Sequence, residues 1–138
     1  MLRQGDHAEQ ELLLTREDVI RLAAELGDPN PLHHDEEAAR RSRFGGLIAC
    51  GGHLTALMTS FCAAFTTAHG PALGLEFSYR LRKAARAGTT LRLRWTVTRV
   101  EPSEKLRGEL VHLEGDIRDD GGAVLVTARS TVLARDAL

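Results

Sequence analysis

Residues 51–67, GGHLTALMTSFCAAFTT, contain no Asp, Glu, Lys or Arg, and no other segment restricts the fold of this chain as strongly. Apolar side chains recur nearly all round the helical wheel, so the segment reads as a helix buried on most of its faces. The chain has 138 residues, which suits one core and a single domain over 1–138. A domain this small covers such a helix on several sides only by wrapping a sheet around it.

The remainder supplies that sheet. Leu91, Leu93, Trp95 and Val97 alternate with Arg92, Arg94, Thr96 and Thr98, the period of a strand with one wet face. Val111, Leu113 and Ile117 continue the alternation, Asp119–Gly122 reads as a hairpin turn, and Ala123–Leu133 is a final β-branched run. Leu75–Leu81 reads as the strand preceding Trp95. Ahead of the apolar helix, Thr15 and Asp18 form a capping-box-like pair, and Val19, Leu22, Ala23 and Leu26 recur at helical spacing until Gly27. A second short helix is expected at Ala38–Arg41, stopped by Gly45-Gly46. Short helices, one buried helix and an antiparallel sheet make an α+β fold.

Charge and cysteine content exclude several function classes. Lys and Arg number 18 against 19 Asp and Glu, for a net charge of -1, so no overall field draws the chain to nucleic acid or an anionic membrane. The N-terminal MLRQGDHAEQELLL is polar before its short apolar run, and no segment has the length of a bilayer-spanning helix. Export and membrane insertion are not expected. Cys50 and Cys62 are the only cysteines, which offers neither a zinc cluster nor a disulfide framework and suits a reducing cytoplasm. No glycine-rich phosphate motif, metal-ligand array or set of stacking aromatics is visible, so no cofactor is implied.

The chemistry-bearing constellation is Asp28-Pro29-Asn30-Pro31-Leu32-His33, a carboxylate and an imidazole on a loop stiffened by two prolines. Adding water across an activated double bond needs one group to take a proton and one to deliver a proton to carbon. Asp and His together do both, although such a spacing alone far more often describes a turn-capping Asp and a satisfied His. Asn30 between prolines reads as a turn former with a supporting role. Gly51 opens the apolar helix, where an unpaired N–H stands at the positive end of the dipole, and Gly51-Gly52 equally suits close packing. His53 reads as a packing or interface residue, His34 and the acids after it as a solvated face, and Cys50 as buried and structural. Arg80, Arg82, Lys83 and Arg86 form a basic stretch suited either to phosphates and an acidic carrier or to a solvated strand end.

The run from Asp28 to His33, followed by Asp35, Ala38 and Leu47-Ile48-Ala49-Cys50-Gly51, resembles the hydratase motif of the MaoC-like dehydratases, which include the (R)-specific enoyl-CoA hydratases. Leu75-Glu76-Phe77 and Ala87-Gly88 extend the resemblance across nearly the whole chain. It implies a hot-dog fold, with the segment from Gly51 as the long helix wrapped by the sheet. It also implies paired protomers, or a higher homo-oligomer, with the active site by the protomer interface. By the same resemblance Asp28 and His33 hold and activate water and pass the proton that ends on the α-carbon, with either as the base. Gly51 would donate to the thioester oxygen, on which enolate-like charge develops. The implied activity is reversible hydration of trans-2-enoyl-CoA or enoyl-carrier thioesters to 3-hydroxyacyl thioesters, (R) by family expectation.

Three positions depart from the family pattern. Cys50 stands where a His commonly precedes the glycine, and Lys83-Ala84-Ala85 and Gly88-Thr89 replace a Pro before the turn and an Asp after its glycine. These bear on loop shape and acyl specificity more than on the chemistry. A hot-dog thioesterase is the first alternative, but it often carries a carboxylate on the central helix, and residues 51–67 have none. A non-catalytic acyl-thioester-binding subunit is the second, and the presence of both Asp28 and His33 argues against it.

Overall fold

The computed structural model describes residues 1–138. The alternating run around Trp95 is the centre of strand β3 (Thr90–Ser103), with β4 (Gly108–Arg118) beside it and then β5 (Val124–Ala134). Strand β2 (Ala72–Leu81) lies beyond β5 at one edge, and β1 (His7–Leu13) borders β3 at the other. The five-stranded sheet is antiparallel throughout, in the order β1-β3-β4-β5-β2. Helix α3 (Gly51–Thr67) lies against it, which is the hot-dog arrangement of the expected α+β class.

The inward residues Leu91, Leu93, Trp95, Val97, Val111, Leu113 and Ile117 are all buried, together with Met58 and Cys62 of α3. Removing these apolar side chains from water is the main favourable term in forming the sheet–helix layer. Trp95 ties the two layers, since its indole N–H donates to the Met58 carbonyl at 2.9 Å. Opposite it in register stands Gly115. A Cβ there would lie 2.5 Å from the Arg94 carbonyl oxygen and 2.8 Å from the indole, so glycine is what permits the strands to close over Trp95.

Two sequence expectations need correction. Strand β1 falls in the N-terminal stretch read above only as polar. Its outward Glu9 and Glu11 pair with Arg94 and Arg92 across the β1–β3 ladder, while Ala8 and Leu12 pack toward the core. An edge strand with so few apolar residues has little periodic signal. Helix α3 is also less covered than its apolar sequence suggests: His53, Leu54, Met58, Cys62, Phe65 and Thr66 are buried, but Gly52, Ala56, Ser60, Ala63, Ala64 and Thr67 are exposed. The chain therefore covers one face of the helix and leaves a face of small residues open.

Helix α1 (Arg16–Glu25) begins where expected, with the Thr15 side chain accepting from the Asp18 N–H at 3.1 Å. It ends at Gly27, whose φ of +75° is the left-handed conformation glycine adopts at little cost. Helix α2 (Glu36–Arg41) is capped by Asp35, which accepts from the N–H groups of Glu37 and Ala38. Between these helices lies the Asp28–His33 loop.

Candidate active site

Asp28 leaves α1 with its N–H bonded to the Ala23 carbonyl at 2.9 Å. Its Oδ1 accepts from the Asn30 N–H at 3.0 Å, and Asn30 Oδ1 accepts in turn from the Leu32 N–H at 3.0 Å. Asn30 thus caps the 3₁₀ turn Pro31–His33, the turn-forming role read from its place between prolines. Pro31 stands at the start of this turn, where a missing N–H costs nothing. The prolines and Asn30 deliver His33 into the interior, where it is 6% exposed.

His33 Nε2 then lies 3.4 Å from Asp28 Oδ2, so the two residues share one site. The other ring nitrogen, Nδ1, is 2.7 Å from the Ile48 carbonyl oxygen. A carbonyl only accepts, so Nδ1 carries a proton and, in neutral His33, Nε2 presents its lone pair toward the carboxylate. Two acceptors therefore face each other across 3.4 Å. Such a pair is satisfied by a proton on Nε2 or by a donor, such as water, that bonds to both. The Asp28 side chain is about a third exposed while that of His33 is buried, so the pair opens outward on the Asp28 side.

The Ile48 carbonyl belongs to a run that is itself held in place. Ala49 N–H donates to the Ala85 carbonyl, and Ile48 forms an isolated bridge with Arg86. Three residues on, Gly51 opens α3, capped by Cys50 without a side-chain hydrogen bond. His53 and Leu54 N–H groups return to the Cys50 carbonyl, whereas those of Gly51 and Gly52 have no protein acceptor. A Cβ on Gly51 would come within 2.7 Å of Leu81 Cδ1, so the close-packing reading of this glycine holds beside its free donor.

The basic stretch does not gather around this pair. Arg80 and Arg82 face a depression of about 850 Å³ on the outer sheet surface, shared with Arg94, Arg118 and Arg129. Asp28 and His33 do not line this depression. Arg82 Nε donates to Thr127 Oγ1, and Arg86 donates to the Gly45 carbonyl beside a separate depression lined by Arg16, Glu36 and Arg40. Lys83 is exposed. Cys50 and Cys62 are buried free thiols, and burial pushes the Cys62 thiol upward, partly offset by Ser130. His53 is buried with its Nδ1 unpartnered. His34, assigned above to a solvated face, is instead half-buried and donates from Nε2 to the Asp28 carbonyl at 2.6 Å.

Two of these contacts lie outside what residue patterns signal. The Ile48 carbonyl is a main-chain group 15 positions from its partner, and main-chain groups leave no trace in side-chain spacing. His34 sits in a run whose acidic composition reads as wet.

The family described as MaoC like domain matches residues 3–118. A UPF0336 protein of Streptomyces avermitilis is 31% identical over 131 residues, covering 88% of this chain and 84% of that protein. Among solved structures, the R-hydratase PhaJ1 of Pseudomonas aeruginosa in its unliganded form superposes with a TM-score of 0.84 at 26% identity, over 98% of this chain and 83% of that one. The MaoC-like dehydratase of Rhodospirillum rubrum gives 0.83 at 29% identity, over 99% and 96%.

Proposed function

This chain belongs to the MaoC-like dehydratase family, and from that premise we propose that it adds water reversibly to trans-2-enoyl thioesters, giving (R)-3-hydroxyacyl thioesters. The observation that carries the reading is the Asp28–His33 pair at 3.4 Å with Nδ1 committed to the Ile48 carbonyl. Water donating one hydrogen to His33 Nε2 and the other to Asp28 Oδ2 has its oxygen lone pairs free for the β-carbon of the enoyl group. As that C–O bond forms, the pair takes up a water proton, and it releases a proton to the α-carbon. Electron density passes through the conjugated system onto the thioester oxygen and returns as the α-carbon is protonated, so atoms and charge balance. Positioned acid–base groups of this kind contribute roughly 10²–10⁴-fold. The unbonded N–H of Gly51 at the positive end of α3 supplies a donor for the thioester oxygen.

A second copy of the chain completes the assembly in this reading. Edge strand β2 carries Leu73, Leu75 and Leu81 at 51%, 50% and 56% exposure, beside the open small-residue face of α3. Unpaired edges and exposed leucines invite pairing with another chain. The carrier in this reading is coenzyme A or an acyl carrier protein.

Incubation with crotonyl-CoA and longer enoyl-CoA esters tests this, following enoyl-thioester absorbance and released thiol in parallel. Absorbance loss without thiol is expected. Thiol release would instead identify a thioesterase, and neither signal across CoA and carrier-protein substrates would leave a binding subunit.

A further inference from the structure

We propose that His34 is a positioning residue for Asp28: its Nε2–H donates to the Asp28 main-chain carbonyl and sets where the Asp28 carboxylate stands relative to His33. The inference rests on the reading of Asp28 and His33 as the acid–base pair.

The Asp28 carbonyl sits where the backbone offers no donor. Pro29 and Pro31 have no N–H, and the Asn30 N–H is taken by Asp28 Oδ1. No main-chain N–H bonds to the Asp28 carbonyl. His34 Nε2, at 2.6 Å, fills that place from a half-buried position. Its own N–H donates to the Pro31 carbonyl at 3.1 Å, so the ring is held by the same 3₁₀ turn that carries His33. The adjacent imidazoles are thereby committed to opposite protonation patterns, with Nδ1–H on His33 facing Ile48 and Nε2–H on His34 facing Asp28. The rings meet edge-on with centroids 6.5 Å apart. Through His34 both members of the pair are referenced to one short turn. Without it, the Asp28 end hangs on the bond to Ala23 and the carboxylate's contact with Asn30.

The test compares His34→Leu, which keeps bulk without a donor, with His34→Gln, whose amide nitrogen reaches about as far as Nε2. His34→Leu is expected to lower kcat on crotonyl-CoA by roughly 10- to 100-fold with KM changed by no more than about threefold, since misplaced reacting groups cost rate. His34→Gln restores most of it. In an Asp28→Asn background His34→Leu costs little, because a residue acting through Asp28 then has nothing to position. Equal losses in the Leu and Gln variants, or an undiminished loss in the Asp28→Asn background, overturn the proposal.

Nitrogen-15 NMR of the imidazoles in the wild-type protein decides the bond without any substrate. A neutral His34 ring with its proton on Nε2 is expected, and a ring protonated on Nδ1 alone overturns the proposal. Wild-type protein that turns over no enoyl thioester, or Asp28→Asn with full activity, removes the acid–base reading instead, while the imidazole spectrum still decides the His34 contact.

Discussion

His33 has one ring nitrogen committed to a main-chain carbonyl and the other turned to a carboxylate, so its replacement removes one of the two acceptors that would hold the water. His33→Ala is expected to lower hydration of crotonyl-CoA by roughly 10²–10⁴-fold. Asp28→Asn should cost a similar factor, yet its amide oxygen still accepts from the Asn30 N–H, so far-ultraviolet circular dichroism should be unchanged. Full turnover in either variant would defeat the assignment. A second residue-scale expectation concerns His53. Burial lowers its pKa from the ordinary 6.5, with Asp18 opposing and Arg21 adding to the shift. The folded state thus resists a proton that the unfolded chain takes up near 6.5, so the stability associated with neutral His53 is present above that pH and is lost as pH falls below it. His53→Leu should flatten the fall in Tm between pH 7.5 and 5.5, and an unaltered slope would show that other groups set it.

At the scale of elements, the junctions of α3 and of β3 with β4 carry most of the consequence. Gly51 is the first residue of α3, where proline is tolerated because that N–H has no helical partner. The preceding Cys50, at φ -69° and ψ 157°, already has the extended backbone proline demands of its neighbour. A Cβ at this position meets only the end of the exposed Leu81 side chain. Gly51→Pro therefore deletes the proposed oxyanion donor at a position where the helix can still start, and kcat should fall by roughly 10²–10³-fold while Gly51→Ala, which keeps the N–H, remains active. Gly115 is different, since the obstacle to a Cβ there is the Arg94 carbonyl together with the buried Trp95 ring. Gly115→Ala should lose roughly 1–3 kcal/mol in urea unfolding, the usual cost of overpacking.

For the whole molecule, the proposed pairing of copies along β2 makes the edge leucines the place to intervene. Replacing Leu73 and Leu75 together by Lys puts charge on an edge strand, a device that discourages pairing. Light scattering after size exclusion should then report a smaller particle than the wild type, and no change would move the contact elsewhere. No helix is long and apolar enough to cross a membrane.

The period-2 run around Trp95, the Thr15 cap, the charge-free helix and the Asp28–His33 motif were legible because each is a local pattern of side chains. Strand β1 was not, because an edge strand that buries only Ala8 and Leu12 needs the β3 ladder to exist. The uncovered face of α3 was not, because Ala, Ser and Thr read as apolar or neutral whether or not anything lies against them. In the site, sequence supplied the carboxylate and the imidazole. Only the folded chain brought the Ile48 carbonyl to Nδ1 and the Asp28 carbonyl to His34, because those partners are main-chain atoms whose positions depend on how distant segments pack.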